Sequence, residues 1–545
     1  VPPRPMSPKP ARPKIISQID DDGDETEPAI GFDFLEQNRD IFAVQDFPPP
    51  IFRERNVSVR ELERSRFPLT ETTYLAIGGG LGSFTWVNHL LVFGADPRDI
   101  VSVGFEPKPY GRYRRLSRYS QIPEYERIRS CSDSCPDNLW GWPGYAVREA
   151  WHEFKRGSVL TSLKLLWQIA GEPTFHETYT PISGRVFASI DREAERIGWN
   201  KIWRPGRVKA IRKTDDGRYV VAYSQTGDFF SQNDVHRLMI AKYVHVAVGY
   251  PAIRLLPDLY EYRVKTQDFK RVVNAYEKHD HVYEHLKGKG GVVLVRGRGI
   301  VASRIFQRLY ETRHYNPNIS IIHLMRSPVT QGAVYERSQR LTENHWEFQP
   351  FNWPKACWSG DLRKLLEDAT DAERDQLLTA WGGTTTSDRN DWRKIISSGL
   401  RESWYQQRFG DVKKVEYDRN RNVLITSIHG RGHIQGQTEL ESDFIIDATG
   451  LESNIDAHPL LRDMMNHYKL HRNPQGRFKV RNDFEIDRMR NDDGRMYSSG
   501  VMTLGGPYAP VDSFLGLQYA ALRSVDALVG AGAPGLRYLD GLLSL

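Results

Sequence analysis

Gly78, Gly80, Gly82 and Ser83 fall in the run Gly78-Gly79-Gly80-Leu81-Gly82-Ser83. Gly297, Gly299, Ala302 and Ser303 fall in a second, Gly297-Arg298-Gly299-Ile300-Val301-Ala302-Ser303. Two glycines and a small residue at this spacing let a strand turn sharply into a helix while a pyrophosphate sits on the helix N-terminus. The first glycine permits the turn. The second removes a Cβ from the path of the phosphates, and the small third position lets helix and strand pack. One such run is a weak signal. Here there are two, after the strand-like stretches Tyr74-Leu75-Ala76-Ile77 and Val292-Val293-Leu294-Val295. Each precedes a helix-like segment, so the pair predicts two bound nucleotides and redox chemistry between them.

The end of each following strand separates the two sites. The stretch Ile100-Val101-Ser102-Val103-Gly104-Phe105 ends at Glu106, and Ile319-Ser320-Ile321-Ile322-His323-Leu324-Met325 ends at Arg326. A carboxylate accepts hydrogen bonds from ribose hydroxyls and repels a 2′-phosphate, which an arginine attracts. Glu106 lies farther from its glycines than the usual spacing of about 20 residues. The loop Gly94-Ala95-Asp96-Pro97-Arg98-Asp99 can absorb the excess. The first site therefore reads as FAD, on Gly78, Gly80, Gly82, Ser83 and Glu106. The second reads as NADPH, on Gly297, Arg298, Gly299, Ala302, Ser303 and Arg326.

These turns need sheets and helices to hold them. A chain of 545 residues has room for two or three domains, and 39% apolar with 26% charged residues is ordinary for a globular protein. A net charge of +6 favours no nucleic-acid partner. No apolar stretch approaches the roughly 18 residues that span a bilayer, so no membrane partner is expected. Cys131, Cys135 and Cys357 are the only cysteines. They fit a reducing cytoplasm, and the three-residue gap between Cys131 and Cys135, followed by Pro136, speaks against a redox dithiol. No metal site is expected.

The proline-rich, then acidic, start of the chain predicts a disordered tail over 1–70 that offers a tether to other domains. A first nucleotide unit is expected over 71–255, with Tyr219-Val220-Val221-Ala222-Tyr223 in a small antiparallel meander. It closes on Tyr243-Val244-His245-Val246-Ala247-Val248-Gly249-Tyr250-Pro251. A second strand of that kind, Phe444-Ile445-Ile446-Asp447-Ala448-Thr449-Gly450, reads as the return to the first domain. The second unit, 256–440 with a Trp-rich helical insert over 331–410, then becomes an insertion. The remainder divides into 441–530 and a C-terminal tail, 531–545.

This assembly resembles the two-dinucleotide-domain flavoproteins, and within them the single-component flavin monooxygenases. The insert is similar to that of the N-hydroxylating ornithine and lysine monooxygenases at Asn352, at Arg374-Asp375-Gln376-Leu377-Leu378 and at Thr384-Thr385-Thr386. Trp353 stands where the family has Glu, and the family's Asn-Tyr pair is missing. The resemblance implies an α/β fold: a FAD-binding Rossmann-like domain with an inserted NADPH-binding Rossmann-like domain and a helical insert. It implies FAD contacts at Asp447, Gly450, Gly505, Gly506 and Leu515, with Asp512 nearby, and makes Asn352 and Thr385 the candidate catalytic residues. His152, His176 and Arg129 are read as structural. The implied reaction takes a small-molecule substrate and dioxygen, and oxygenates nitrogen or another soft nucleophile through a flavin C4a-hydroperoxide. An NADPH-dependent reductase or oxidase, and a non-catalytic flavin-binding module, remain alternatives.

Overall fold

A computed structural model describes residues 47–128, 135–138, 142–171, 179–225, 235–335, 338–349, 360–381, 386–387, 390–431 and 436–538. Two largely parallel sheets carry the two glycine-rich turns. In the first, β1 (Leu69–Gly78) leads through its turn into α1 (Leu81–Val92), and β2 (Ile100–Gly104) precedes α2 (Gly111–Tyr119). The helical pair α3 (Tyr145–Lys155) and α4 (Val159–Gly171) packs Tyr145, Ala146, Ala150 and Leu165 into the core on the α1 side. The long strand β3 (Val235–Val246) lies parallel to β1 on the side away from β2. Arg207–Thr214 and Tyr219–Gln225 complete the antiparallel meander with β3. Period-two alternation explains its burial on both faces: Tyr219, Val221 and Tyr223 enter one core, Val220 and Ala222 another.

That second core starts the folded body earlier than the expected position near Thr70. Phe52, Val57 and Leu62 are buried against Ala210, Val220, Ala222, Leu238 and Ile240, and Asn56–Val57 pairs with Lys213–Thr214. A sheet face this apolar needs a cover, and the segment just before β1 supplies it. Residues 1–46 of the expected tail lie outside the described residues.

The second sheet is built around β4 (Gly291–Arg296), which turns into α5 (Ile300–Arg313). Its parallel neighbours are β5 (Ile319–Met325) on one side and β6 (Phe444–Asp447) on the other. The position of β6 differs from the expected boundary at 441. Val293 aligns with Phe444 and Arg296 with Asp447, so this strand closes the second sheet rather than reopening the first. Of the later chain, Arg495–Ser498 returns to the first sheet, beside β3.

The expected helical insert divides in two. Helices α6 (Asp361–Asp368) and α7 (Asp371–Trp381) bury Leu362, Leu366 and Trp381 against Leu515. Helix α8 (Asn390–Arg401) instead packs Trp392, Ile395 and Ile396 on Phe306, Trp346, Trp404 and Tyr405 in the core of the second sheet. Trp346, Trp392 and Trp404 are thus core members, which accounts for three of the insert's tryptophans. Among the described residues no helix is long and apolar enough to cross a membrane.

Leu62 is fully buried. Leu62→Ala should cost about 2–5 kcal/mol by loss of transfer energy and a residual cavity. Urea denaturation reads this directly, and an unchanged midpoint would return residues 47–69 to the status of a tail.

Candidate functional site

The two turns share one construction. Gly78 has φ +128°, and a Cβ there would lie 2.2 Å from the Ala247 carbonyl oxygen. Gly297 has φ +131°, and its Cβ would lie 2.3 Å from the Ala448 oxygen. Ala247 and Ala448 directly follow β3 and β6, the strands beside β1 and β4. In both sheets the first glycine is therefore demanded by its backbone conformation and by a neighbouring strand's carbonyl. Gly82 is a packing glycine: its Cβ would meet the Ala247 Cβ at 2.8 Å and the Ser499 Oγ at 3.0 Å. Ser83 is buried, and its Oγ accepts a hydrogen bond from the Gly79 N–H at 3.2 Å, tying the turn to α1. Ala302 and Ser303 are buried at the start of α5, where the Ser303 hydroxyl donates to the Ile300 carbonyl at 2.7 Å.

Gly80 and Gly299 are different. Their φ values, −88° and −84°, suit any residue. The atom nearest a Cβ on Gly80 would be the Pro109 oxygen, 3.8 Å away, and a Cβ on Gly299 would meet nothing within 4 Å. No internal packing requires glycine at either place. Each is also the N-cap of its helix and makes no side-chain capping bond. Both glycines thus stand with open space at their Cβ positions on a helix N-terminus, where first-turn N–H groups and the positive end of the dipole can receive an anion. By contrast, the C-terminal helix Phe514–Gly530 is capped by Ser513, whose Oγ accepts from the Gly516 N–H at 3.1 Å.

Glu106 lies just past β2, with β2 parallel to β1 and Gly104 opposite Gly78. Arg115 of α2 pairs with it at 2.6 Å. Arg326 follows β5 and is exposed. Arg298, in the second turn, reaches across that strand end: its Nε meets the Met325 sulfur at 3.2 Å and its Nη2 donates to the Ser327 carbonyl at 2.6 Å. The two arginines therefore flank the same strand end.

Beneath the second turn sits His323, buried in β5. One ring nitrogen faces the Gly297 carbonyl at 2.6 Å and the other faces the Tyr405 hydroxyl at 2.6 Å. A carbonyl only accepts, so Nε2 carries the proton and Nδ1 accepts from the tyrosine. Burial pushes the imidazole down to about 3. In the first sheet His245 of β3 lies opposite Ala76 of β1 and stacks on Trp86 of α1 at 5.1 Å. It too is buried, has no hydrogen-bond partner on either ring nitrogen among the described residues, and is pushed by burial down to about 3. Both imidazoles are neutral supports for their turns.

Asp447, an expected flavin contact, ends β6 in the second sheet, in register with Arg296. It is fully buried at the end of the second sheet and accepts hydrogen bonds from the Leu256 N–H at 2.9 Å, the Thr449 N–H at 3.0 Å and the Thr449 hydroxyl at 2.6 Å. Its carboxylate ties together the two segments that run between the sheets. Gly450 has φ +115°, with nothing within 4 Å of its Cβ position. Gly505, at φ +84°, packs against Asn473 and Gln475, and a Cβ on Gly506 would meet the Thr503 oxygen at 2.8 Å. Leu515 is covered by α6 and α7. Arg374 of α7 is buried, bonding the Leu366 carbonyl at 2.6 Å and Asn482 Oδ1 at 2.8 Å. Asn352, Thr384 and Thr385 lie outside the described residues, as do Cys131, Cys357, His176 and Arg129; Thr386 is in a short strand beside Phe348. Cys135 is buried in the first core, and His152 is half-buried on α3.

Sequence reasoning missed a group beside Gly249. The Tyr250 hydroxyl donates to Asp512 at 3.0 Å, and Arg112 of α2 donates to the Tyr250 carbonyl at 2.9 Å. Burial, then the Asp512 charge, raises the Tyr250 phenol. Burial also raises Tyr113, and pushes Tyr276 up to about 12. These phenols are protonated donors at neutral pH. The available signal was a tyrosine directly after the crossover glycine, Gly249.

By sequence, no family model and no curated protein matches this chain. Solved structures do. It superposes on an ornithine hydroxylase from Pseudomonas aeruginosa with a TM-score of 0.59 at 13% identity, covering 85% of this chain and 100% of that one. An ornithine N-hydroxylase from Kutzneria sp. 744, solved with reduced FAD, NADP+ and L-ornithine, gives 0.58 at 13%, covering 84% and 99%. A cadaverine monooxygenase from Erwinia amylovora, solved with FAD, gives 0.57 at 13%, covering 86% and 95%. At this identity the likeness is one of fold: the chain has the two-dinucleotide-domain flavoprotein fold.

The buried histidines make stability pH-dependent. Unfolded imidazoles protonate near 6.5, whereas His245 and His323 stay neutral to about pH 3. The unfolded state therefore binds more protons in that window, and stability is lost as pH falls through it. Among the described residues His245 has no hydrogen bond to lose, so His245→Phe should remove its share. At about pH 5 the variant should gain about 2 kcal/mol relative to the parent, over any difference at neutral pH. Parallel stability–pH curves for the two proteins would show that His245 does not titrate on unfolding.

Proposed function

We propose that this chain is an FAD- and NADPH-dependent oxidoreductase, a monooxygenase that oxygenates nitrogen or another soft nucleophile. The observation that carries this reading is the pair of open glycines, Gly80 and Gly299, each on an uncapped helix N-terminus at the end of a parallel strand. Two such places in one chain suit two pyrophosphates. Strands from 56–246 and 495–498 would form the flavin domain, and strands from 272–447 the nicotinamide domain. The likeness in fold to hydroxylases solved with FAD and NADP+ supports the assignment.

In this reading Gly78, Gly80, Gly82 and Ser83 hold the FAD pyrophosphate, and Glu106 takes its ribose in exchange for part of its pairing with Arg115. Gly297, Arg298, Gly299, Ala302 and Ser303 receive the NADPH pyrophosphate, and Arg298 and Arg326 clasp the 2′-phosphate. Bound flavin would supply the capacity to take a hydride from reduced nicotinamide and to activate dioxygen. The protein's part is to orient the two nucleotides and exclude water. Tyr250, its hydroxyl donating to Asp512 and its carbonyl held by Arg112, offers a fixed neutral group between the sheets. Helices α6 and α7 cover Leu515 at the start of the C-terminal helix. In this reading Asn352 and Thr385 would be the residues at the substrate. The three cysteines suit a cytoplasmic setting.

The decisive measurement is NADPH and oxygen consumption by the purified protein with a panel of small amines. A yellow protein that yields an oxygenated amine supports the reading. Peroxide in step with NADPH and no oxygenated amine would favour an oxidase or reductase, and a colourless, inert protein a binding module. Gly80→Val should give colourless protein with a near-normal melting temperature, because a Cβ at Gly80 meets no atom closer than the Pro109 oxygen at 3.8 Å. Gly299→Val should keep the flavin colour and lose NADPH oxidation. If both variants behave like the parent, the two glycines face no ligand.

Cofactor choice gives a separate test. A bidentate arginine–phosphate contact of about 1.5–3 kcal/mol corresponds to roughly 10- to 150-fold preference for NADPH over NADH. Arg326→Ala should erode that ratio mainly through KM. Equal kcat/KM for the two cofactors in the parent protein would refute the assignment of Arg298 and Arg326.

A further inference from the structure

Helices α3 and α4 carry an apolar surface that neither the cores nor the nucleotide turns use. Leu160 is 84% exposed, Trp167 67%, Trp151 57%, Leu163 56%, Phe154 51% and Leu166 45%. On α4 the exposed residues recur at i, i+3, i+6 and i+7 from Leu160, a stripe along one side of a helix. Ser162 and Leu165, on the opposite side, are already buried. So α4 presents two faces of burial quality, one to the protein and one outward. Trp151 and Phe154 stack at 5.8 Å on α3 and extend the outward face.

Cations border this surface. The Lys155 ammonium lies 5.2 Å from the Trp151 ring centre, and Lys164 is exposed between Leu163 and Leu166. The two acids of 142–171 are already engaged: Glu149 is buried against Arg127 and Tyr179, and Glu153 lies 4.0 Å from Arg156. We propose that the outward face of α3 and α4 docks on an anionic lipid bilayer surface. Leucines and aromatic rings enter the headgroup boundary, tryptophans suit that half-apolar layer, and lysines extend to lipid phosphates. A second copy of the chain fits less well, because a two-fold contact would bring Lys155 and Lys164 of both copies onto one apolar face. The 13 residues of α4 are too few to span a bilayer, so the helix lies on the surface. The expectation of no membrane partner rested on spanning stretches alone, and a surface contact needs none. This inference is independent of the redox reading.

The test is sedimentation of the full chain with vesicles of phosphatidylcholine alone and of equal parts phosphatidylcholine and phosphatidylglycerol, with tryptophan emission recorded on each. The protein should pellet with the anionic vesicles, shift its emission to the blue, and be released by salt. Lys155→Ala with Lys164→Ala should weaken binding by roughly tenfold or more. Leu160→Glu with Leu163→Glu should abolish it; both sites are exposed, and an unchanged circular dichroism spectrum would show the fold retained. Failure to bind anionic vesicles, or binding that both double variants leave intact, overturns the proposal. So does a parent dimer in analytical ultracentrifugation that Leu160→Glu with Leu163→Glu dissociates while no vesicle binding is seen, because the face would then be a self-interface.

Discussion

The structure depends on a backbone contact made twice: a glycine at the end of a parallel strand, pressed against the carbonyl of the residue that follows the neighbouring strand. Gly78 against Ala247 and Gly297 against Ala448 leave no room for a Cβ, at 2.2 and 2.3 Å. Each contact fixes where its helix begins, because α1 and α5 start three residues later. It also fixes the segment that leaves the sheet, since Ala247 and Ala448 each open a three-residue run to a positive-φ glycine, Gly249 or Gly450. One interaction thereby sets the helix N-terminus that can hold a pyrophosphate and the crossover that passes the chain to the other sheet.

Those crossovers are held as firmly as the turns. Asp447 binds both, through Leu256 and Thr449, and a short strand pairs Ala252–Ile253 with Leu451–Glu452. Elsewhere a buried ion pair joins Arg304 of α5 to Glu126 in the loop beyond α2, and α6 and α7 join the region of the C-terminal helix through Lys479–Asp371 at 2.7 Å and the Tyr519–Glu367 hydrogen bond. The buried pair Arg304–Glu126 is costly to desolvate and costlier to break. It joins α5, which begins at one candidate phosphate site, to the loop beyond α2 in the first nucleotide unit.

What the sequence revealed was local. Glycine spacing, the apolar runs before it and the opposite charges at Glu106 and Arg326 are all readable within a few dozen residues, and the structure sets each at the end of a parallel strand. Strand pairing is not local. The run Phe444–Asp447 reads the same whichever sheet it joins, and only its register with β4 shows that it closes the second. Phe52, Val57 and Leu62 follow no helical or strand period, so nothing nearby marked them as the cover of a distant face. Asp447 was legible as a motif but its hydrogen bonds were not, since its partners Leu256 and Thr449 come from both sides of the second sheet's chain. The outward stripe on α4 was written in the sequence at helical spacing. Amphipathic reasoning assigns such a stripe to a core, and two stripes on one helix cannot both face inward.

The electrostatics divide in the same way. An imidazolium under either turn would sit close to a bound pyrophosphate and bind it by charge alone, in a manner that varied with pH. The chain instead holds His245 and His323 neutral by burial, one stacked on Trp86 and one locked between Gly297 and Tyr405. In the proposed function, attraction for an anion is left to the N–H groups at Gly80 and Gly299 and to the guanidiniums of Arg298 and Arg326. Backbone dipoles are identical at both turns and cannot tell one nucleotide from another. In the proposed function, discrimination would therefore come from the side chains at the strand ends, where Glu106 and Arg326 differ in sign: the shared fold would supply affinity, and these side chains, with Arg298, identity.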